Sequence, residues 1–290
     1  MTSTLINGVA ASHIDVNDRS IHYGDGLFET ILGKHDTLFY WAQHYQRLRS
    51  CAERLGLNCP DEQVFLSDIR YLLQHKEDVL PDAYAIKIIL TRGSSERGYM
   101  IPKKIAENRI VLLSAVAADY PSLISGQLIT GELYVCKQQV SINENLAGIK
   151  HLNRLENVLA RNEWRDSVND NFIDGLMLDA DQHVIEATMS NLFAVKDNQL
   201  YTPDLRRSGV NGIMRDMVID AAKRNNIPVS CLDLSLDDLF DVEELFISNS
   251  LMGIRSVSKM AHRSYADQNI TKIIFKDLLH TKDNHVEVVN

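Results

Sequence analysis

The chain has 290 residues, 45% of them hydrophobic and 24% charged, a composition typical of a globular protein that is long enough for two domains. Its formal net charge of −9 argues against nucleic acid as a partner, and no window approaches the ~20 apolar residues of a membrane-spanning helix. Four cysteines without metal-ligand spacing predict reduced thiols and no metal site, so we expect a cytoplasmic enzyme or binding protein.

Strands and helices alternate in the first part of the chain. An apolar run ends in Asn7-Gly8, which predicts a β-hairpin. Gly24 and Gly26 precede a strand-like run and indicate a tight bend or a backbone close to a ligand, with an ordinary turn as an equal alternative. Apolar spacing then predicts helices over residues 41–55 and 61–75 and strands over residues 83–91 and 109–117.

The first candidate binding residues lie on this part of the chain. A polar, glycine-punctuated loop at residues 92–99 carries Arg97 and Tyr99. These two are candidates for an acidic substrate, because a guanidinium grips a carboxylate in two places and a phenol adds a third donor. Arg47 on the first long helix is a candidate phosphate ligand. For both arginines the alternative is a solvated side chain.

A proline and small polar residues at positions 119–126 predict a linker. This linker divides the chain into an N-terminal α+β domain, residues 1–118, and a larger C-terminal domain, residues 127–290. In the C-terminal domain, short strand-like runs are separated by turns that carry Asp, Asn and Gly, which predicts a mainly antiparallel sheet or a barrel-like core. The runs are residues 174–179, 184–187, 191–195 and 199–202.

Lys150 stands between a glycine-containing extended approach and an apolar repeat of Leu152, Leu155 and Leu159. The repeat has helical spacing, which predicts a helix with a buried face and with the lysine in its first turn. A partly buried amine loses hydration and is more readily neutral, so it can attack a carbonyl, as a Schiff-base lysine must. The alternative is a surface lysine at a helix start.

Three further sites follow in the C-terminal domain. The stretch Ser208-Gly-Val-Asn-Gly-Ile-Met-Arg215 opens a predicted helix, whose N–H groups and dipole form an anion site; plain helix capping is the alternative. Asn249 and Ser250 lie in a turn after a strand. They are candidates for a substrate contact and a phosphate contact, or they bond their own backbone. Glu186 on a strand is a candidate partner for a ring nitrogen.

A lysine, a phosphate cradle and a carboxylate for a ring nitrogen are the parts that a pyridoxal phosphate site requires. Six motifs in collinear order resemble those of the fold-type IV pyridoxal phosphate enzymes, which include the branched-chain and D-amino acid aminotransferases. The resemblance covers nearly the whole chain. The motifs are Gly24-Asp-Gly-Leu-Phe-Glu29, His44-Tyr-Gln-Arg-Leu48, Arg92-Gly-Ser-Ser-Glu-Arg-Gly98, Lys150 with Leu152-Asn153, Glu186 with Asn191-Leu-Phe193, and Gly209-Val-Asn-Gly-Ile-Met-Arg215.

The resemblance implies a two-domain α+β fold with a barrel-like sheet in the C-terminal domain, a cofactor between the domains, and a homodimer. It makes Lys150 the Schiff-base lysine and acid/base, and Glu186 the partner of the pyridine nitrogen. For the other sites it implies a phosphate cup from Arg47, the N–H groups of Ile213 and Met214, and Ser250, a ring support from Val210, and substrate carboxylate contacts from Arg97, Tyr99 and Asn249.

Residues 147–156 and 209–215 look most like the branch of this family that releases pyruvate from 4-amino-4-deoxychorismate to make 4-aminobenzoate for folate. Relatives in the transaminase branch have a threonine where Met214 stands and a tyrosine where this chain has Leu155. The resemblance therefore implies a pyridoxal phosphate-dependent lyase with a small acidic substrate. A D-amino acid or branched-chain aminotransferase is the alternative, and a catalytically silent cofactor-binding protein is the third hypothesis.

Overall fold

The computed structural model describes residues 3–75, 83–117, 119–169 and 171–289. The elements up to residue 117 are β1 (Ser3–Ile6), β2 (Val9–Ala10), α1 (Arg19–Tyr23), β3 (Gly26–Lys34), β4 (Thr37–Phe39), α2 (Trp41–Leu55), α3 (Glu62–Gln74), β5 (Ala83–Thr91) and β6 (Asn108–Ala115). The later elements are α4 (Ser122–Ser125), β7 (Ile129–Val135), α5 (Leu155–Asn162), β8 (Phe172–Leu178), β9 (Val184–Ala187), β10 (Asn191–Lys196), β11 (Gln199–Pro203), α6 (Ile213–Arg224), β12 (Val229–Leu232), α7 (Leu236–Phe240), β13 (Glu244–Asn249), β14 (Gly253–Met260), β15 (Arg263–Ser264), α8 (Asn269–Thr281), a 3₁₀ turn (Lys282–His285) and β16 (Val286–Val288). Within the described ranges, no helix combines the length and the hydropathy that crossing a bilayer requires.

The chain divides into two compact units. The first unit contains residues 1–120, Lys150–Asn153 and Lys282–Asn290, and the second contains residues 121–149 and 154–281. Lys150–Asn153 thus belongs to the first unit although the chain on both sides of it belongs to the second. The predicted domains, residues 1–118 and 127–290 with a linker at 119–126, stay a prediction.

The first unit is built on an antiparallel sheet with the strand order β16-β4-β3-β5-β6-β1-β2. Strands β3 and β5 pair along their whole length, with Ile31 opposite Ile86, because both are rich in the apolar and β-branched residues that fit a pleated, buried surface. Helix α2 contacts β3 and buries Leu48, while α3 contacts β6 and β1 and buries Phe65. The core of this unit therefore lies between the sheet and the two helices.

The second unit is built on a sheet with the order β12-β11-β10-β13-β14-β7-β8-β9, and β15 pairs with β14. The sheet curls into a barrel-like form in which β9 also contacts β10 and β11, as the sequence predicts. Its core includes the stacked rings of Phe193 and Phe246, whose centres are 4.9 Å apart. The sheet is mixed, because β7 runs parallel to both β14 and β8 and β12 runs parallel to β11.

The predicted mainly antiparallel sheet is confirmed, since β8 pairs antiparallel with β9 and β10 with β11 and β13, and the three parallel pairs are a feature that the sequence did not predict. A hairpin turn can join only antiparallel strands, whereas a long connection such as the one from β7 to β8, which contains α5, permits a parallel crossover. Short strand-like runs with turn residues between them do not reveal which of these two connections a chain makes.

Most of the predicted elements are confirmed, including the first hairpin, α2, α3, β5 and β6, but the helix expected at Lys150 is wrong. Helix α5 begins only at Leu155, because the preceding residues are extended and bonded to β3. The apolar repeat therefore joins the extended Leu152 to two helical residues and forms no continuous buried stripe. Leu155 and Leu159 are 69% and 49% exposed.

Candidate active site

Lys150 lies in an extended segment that pairs with the start of β3. Its carbonyl accepts the N–H of Phe28 at 3.0 Å, and the N–H of Leu152 donates to the carbonyl of Gly26 at 3.0 Å. The ε-amine of Lys150 lies 4.3 Å from the centre of the Phe28 ring, a distance at which an aromatic face attracts a protonated amine. The lysine backbone is thus fixed by strand-type hydrogen bonds.

Two glycines let this segment approach β3. A Cβ atom on Gly26 would lie 2.6 Å from the carbonyl oxygen of Leu90 and 2.8 Å from the side chain of Leu152. A Cβ atom on Gly24 would lie 2.5 Å from Oδ1 of Asn153, and Gly24 also ends α1 with a φ of 63°. The predicted tight bend is confirmed at Gly24, and both glycines have a residue of the lysine segment among their close neighbours, Asn153 for Gly24 and Leu152 for Gly26.

Arg47, the predicted phosphate ligand, is gripped by a buried carboxylate in the same unit. Its Nε and Nη2 donate to the two carboxylate oxygens of Glu29 at 2.8 and 2.5 Å. Nδ1 of His44 lies 2.6 Å from Oε2 of Glu29. Burial alone would raise the pKa of Glu29, but Arg47 and His44 outweigh burial and lower this pKa from 4.5 to about 2. Glu29 is therefore ionised at neutral pH.

The contacts of Glu29 and His44 were not predicted from the sequence, although both residues carry a recognisable signal. Glu29 stands between Leu27 and Ile31 on the face of β3 that is buried at every second residue. His44 stands between Trp41 and Leu48 on the buried face of α2. A polar residue that interrupts an apolar stripe must find a partner on the element packed against it, and here the two interruptions face each other.

Arg97 and Tyr99 lie in the loop between β5 and β6, and both are exposed. Their loop is anchored through its backbone, because the guanidinium of Arg19 donates to the carbonyls of Gly98 and Tyr99 at 3.0 and 3.1 Å. The ring of Tyr99 also contacts that of Tyr23, with 5.1 Å between their centres. The backbone at residues 98–99 is thus held while both candidate side chains remain accessible.

Asp25 holds two arginines, Arg19, which anchors the loop, and Arg92, which follows β5. One of its oxygens, Oδ2, accepts from Nε of Arg19 and from Nε of Arg92, each at 2.8 Å. Burial alone would raise the pKa of Asp25, but the hydrogen bonds and charges of Arg92 and Arg19 outweigh it, and the pKa is lowered. Asp25 therefore stays charged and keeps Arg19 oriented toward the loop.

The second unit brings Glu186 and Val210 together. The Glu186 side chain lies on β9, is 5% exposed, and accepts the N–H of Val210 at 2.9 Å through Oε2. From the other side, Nδ2 of Asn191 donates to the carbonyl of Val210 at 2.9 Å. One peptide segment is therefore fixed at both its donor and its acceptor. Asn191 positions Val210, a role that was not predicted from the sequence, although Asn191 stands in one of the quoted motifs.

Ile213 and Met214 form the first turn of α6, and Gly212 is the cap residue. No side chain caps this turn, so the N–H groups that a helix leaves without internal partners are available for an anion. Gly209 adopts a φ of 83°, and a Cβ atom on Gly212 would lie 1.9 Å from Oδ1 of Asn191. Glycine is required at both positions for this approach to the helix.

The approach to α6 is also tied down by Arg207. Its guanidinium pairs with Asp181 and lies 3.9 Å from a carboxylate oxygen of Asp179, and its carbonyl accepts the N–H of Asn143 at 2.8 Å. With His183, these two aspartates form a group whose ligand atoms are close enough to hold a metal ion. Arg207 already supplies a positive charge there, so the group serves to fix the loop.

Asn249 is the last residue of β13, and Ser250 follows it in the turn to β14. Oδ1 of Asn249 accepts the N–H groups of Leu251 and Met252 at 3.0 and 2.8 Å. Its Nδ2 donates to the carbonyl of Met189 at 3.2 Å, in the turn that follows Glu186 along the chain. Asn249 thus organises its own turn, which is the alternative that the sequence left open, and a substrate contact by Asn249 stays a prediction.

The chain is similar to known proteins along most of its length. The family model described as amino-transferase class IV matches residues 26–260. An aminodeoxychorismate lyase from Vibrio harveyi is 36% identical over 87% of this chain and 89% of its own length, and a putative branched-chain-amino-acid aminotransferase from Methanocaldococcus jannaschii is 30% identical over 91% and 88%. The crystal structure of a 4-amino-4-deoxychorismate lyase from Pseudomonas aeruginosa superposes with a TM-score of 0.84 at 33% identity, covering 97% of this chain and 99% of the other. The predicted fold-type IV architecture is confirmed, and the chain belongs to the amino-transferase class IV family.

Proposed function

We propose that this protein is a pyridoxal 5'-phosphate-dependent lyase that converts 4-amino-4-deoxychorismate to 4-aminobenzoate and pyruvate, a step of folate biosynthesis. The observation that carries the proposal is the similarity along nearly the whole chain to the Vibrio harveyi and Pseudomonas aeruginosa lyases, at 36% and 33% identity. The cofactor follows from membership of the family, and the lyase type is supported by these two relatives.

The residues in the second unit fit this cofactor. A phosphate needs several N–H donors and no side chain in its way, and the uncapped start of α6 after Gly212 offers that combination. A pyridine nitrogen that carries a proton needs an acceptor that stays in place, and Glu186 is held by the N–H of Val210. We assign the phosphate to the N–H groups of Ile213 and Met214, with Ser250, and assign Val210 as the apolar support of the ring.

In the first unit, Lys150 is the residue that would carry the cofactor, and Arg47 would add a charged donor to its phosphate. The carbonyl of Lys150 and the N–H of Leu152 are both bonded to β3, which limits the directions that the lysine side chain can take. The guanidinium of Arg47 is likewise held in one plane by two hydrogen bonds to Glu29. Both residues are thus preorganised, which is what a cofactor site requires.

When bound, pyridoxal phosphate supplies an aldehyde for an amine and a ring that withdraws electrons. The task of Lys150 is to take the proton from the amine-bearing carbon of the substrate with its ε-amine. Glu186 keeps the proton on the pyridine nitrogen. The bond from the six-membered ring to the enolpyruvyl oxygen breaks, the ring becomes aromatic, and the products are 4-aminobenzoate and pyruvate.

The substrate carries carboxylates, and Arg97, Tyr99 and Asn249 are the residues that we assign to them. Support comes from the exposed side chains at 97 and 99, whose loop backbone is fixed by Arg19. A guanidinium presented on a fixed backbone binds a carboxylate with a smaller loss of conformational freedom than one on a mobile loop.

An aminotransferase that acts on D-amino acids or branched-chain amino acids is the second candidate. It is favoured by the Methanocaldococcus jannaschii relative, which is 30% identical over 91% of this chain. Such an enzyme would use Lys150 and Glu186 in the same way and differ only in where the proton is returned. The two candidates are therefore separated by their products.

We also propose that the protein acts as a homodimer in the cytoplasm. Helix α5 exposes Leu155, Val158 and Leu159, with 69%, 61% and 49% of their surface accessible. Residues three and four apart share one helix face, so these side chains form a contiguous apolar patch of the kind that marks interfaces. The cytoplasm is supported by the four free cysteines, since thiols stay reduced there.

The test is to incubate the purified protein, loaded with pyridoxal phosphate, with 4-amino-4-deoxychorismate and to follow both products. We expect equimolar 4-aminobenzoate and pyruvate, and no product from Lys150→Ala. Lys87→Ala is the matched control, because the Lys87 amine lies 5.4 Å from the same Phe28 ring and has no assigned role; it should keep its activity. A cofactor-loaded protein that forms neither product would overturn the lyase proposal, and D-alanine and branched-chain donors would then test the second candidate.

A further inference from the structure

Two polar side chains are buried in the first unit where its sheet meets α2. Glu29 on β3 and His44 on α2 have side chains that are 2% and 1% exposed. Burying a carboxylate is costly unless a charge and hydrogen bonds compensate it. The pair therefore calls for an explanation beyond packing.

The contacts of Glu29 converge on Arg47. Both carboxylate oxygens accept from the guanidinium, one from Nε at 2.8 Å and the other from Nη2 at 2.5 Å. A carboxylate that holds two nitrogens of the planar guanidinium fixes its plane and direction, as one contact cannot. The side chain of Arg47 is 10% exposed, so little room is left for it to swing elsewhere.

His44 fixes the carboxylate in turn. An ionised carboxylate can only accept, so Nδ1 of His44 must carry the proton in its 2.6 Å contact with Glu29. Burial lowers the pKa of His44, opposed by Glu29 and assisted by the positive charges of Arg47 and Lys150. His44 thus donates to Oε2 of Glu29, the oxygen that also accepts from Nη2 of Arg47. Arg47 and His44 are three residues apart on α2, so one helix face presents both to the same carboxylate.

We propose that Glu29 and His44 are positioning residues for the cofactor phosphate: they act through Arg47 by holding its guanidinium in the orientation that binds phosphate. This inference rests on the proposed function, which makes Arg47 a phosphate ligand. It assigns a role to two residues that bear no direct contact with cofactor or substrate.

If Glu29 acted through its charge alone, its removal would change the affinity for phosphate in the opposite direction. Removing the carboxylate of Glu29 would leave Arg47 uncompensated and would make the site more attractive to an anion. Positioning predicts weaker phosphate binding after the same change, because the guanidinium then adopts several orientations and must be ordered at each binding event. The direction of the change in affinity therefore decides between the two.

The experiment compares the affinity of the full-length protein for pyridoxal 5'-phosphate and for pyridoxal, which lacks the phosphate, by absorbance titration. We expect Glu29→Gln to weaken binding of pyridoxal phosphate by about tenfold, equivalent to about 1.4 kcal/mol, and to leave pyridoxal binding unchanged. Glu29→Asp should lose as much, because it keeps the charge but shortens the arm. His44→Asn keeps a donor near the Nδ1 position and should be close to wild type, whereas His44→Leu should be weakened.

The matched control is Asp68→Asn. Asp68 also grips an arginine with two oxygens, at 2.5 and 3.3 Å from Nε and Nη2 of Arg109, and is similarly buried with 8% of its side chain exposed. Asp68→Asn should lower the stability of the unit without changing the preference for pyridoxal phosphate over pyridoxal. This separates loss of an ion pair from loss of phosphate positioning.

The inference is overturned if Glu29→Gln binds pyridoxal phosphate as tightly as wild type or more tightly while Arg47→Ala loses the preference for the phosphate. It is supported if Glu29→Gln loses the preference for pyridoxal phosphate over pyridoxal and if the double variant Glu29→Gln/Arg47→Ala binds pyridoxal phosphate as well as Arg47→Ala does, since the two residues then act as one unit. If Arg47→Ala keeps the preference, the assignment of Arg47 as phosphate ligand is itself wrong. Failure of wild type to bind pyridoxal phosphate would overturn the proposed function.

Discussion

Gly212→Ala tests the geometry of the anion site at the start of α6. Gly212 has a φ of −74° and a ψ of 137°, a conformation that alanine adopts without strain. The added Cβ atom, however, would lie 1.9 Å from Oδ1 of Asn191. Asn191 would have to move and would then lose its 2.9 Å hydrogen bond to the carbonyl of Val210.

The expected loss of stability follows from two terms. Forcing extra volume into a packed site costs about 1–3 kcal/mol, and a lost hydrogen bond costs about 1 kcal/mol, so Gly212→Ala should destabilise the protein by about 2–4 kcal/mol. Asn191→Ala removes the group that the methyl would strike but leaves the carbonyl of Val210 without its donor, at a cost of about 1–3 kcal/mol. The double variant should therefore be about as stable as Asn191→Ala alone.

Urea unfolding of the wild type, both single variants and the double variant measures the coupling between the two positions. Gly56→Ala is the control, because a Cβ atom there would meet nothing within 4 Å; its left-handed backbone should cost about 1–2 kcal/mol, and this cost should add to that of Asn191→Ala. Losses for Gly212 and Asn191 that add to within about 0.5 kcal/mol would refute the steric argument. The same variants should show weaker binding of pyridoxal phosphate, because the segment that leads into α6 is displaced.

Three further predictions follow from charge and exposure. The folded-state pKa of Glu29 lies at about 2 against an ordinary 4.5, so the stabilisation from its charged form is present above about pH 4.5 and is lost as the pH falls toward 2. The free energy of unfolding of wild type should therefore exceed that of Glu29→Gln by roughly 3 kcal/mol less at pH 2 than at pH 4.5. A constant difference in acid titrations would contradict this. Leu155→Glu should convert a dimer to monomers in light-scattering measurements without loss of folding, whereas Val168→Glu, at a position that is fully exposed, should not; a dimer that survives Leu155→Glu would exclude this helix face as the interface. Arg19→Lys should release the loop at residues 97–99, because lysine cannot replace two guanidinium contacts to adjacent carbonyls. We expect KM to rise more than kcat falls and proteolytic cleavage of the loop to become faster. Unchanged cleavage would show that the loop is held by other contacts.

The sequence predicted the elements with strong periodicity and failed where long-range pairing decided the local structure. Residues 41–55 repeat apolar residues at helical spacing and form α2, as expected. The residues after Lys150 have the same spacing, yet Leu152 lies outside the helix because its N–H bonds the carbonyl of Gly26. Gly26 precedes Leu152 by more than a hundred residues along the chain, and periodicity within a short window carries no information on such a pairing.

The candidate site shows the same division between chemistry and support. Lys150, Arg47 and Glu186 could be proposed from the sequence because their side chains have chemistry that the cofactor needs. Glu29, His44 and Asn191 are also polar, but their contacts are with Arg47, with Glu29 and with the Val210 carbonyl. What distinguishes the two sets is burial and partner, for example the Asn191 amide on the Val210 carbonyl, and both depend on the fold.

Met214 shows how one position bears on the choice between lyase and aminotransferase. Its side chain is 1% exposed, so it fills the interior behind the first turn of α6, and only its N–H can face an anion. A threonine at this position, which the resemblance implies for the transaminase branch, would add a hydroxyl donor to the proposed phosphate site. It would also remove apolar volume from that interior, at a cost of a few kcal/mol by analogy with other truncations in cores. In the proposed site, position 214 would therefore give the phosphate a backbone donor only, and the charged contribution would come from Arg47. Without a hydroxyl at position 214, the proposed site depends more on the orientation of this one guanidinium, which Glu29 holds through two hydrogen bonds.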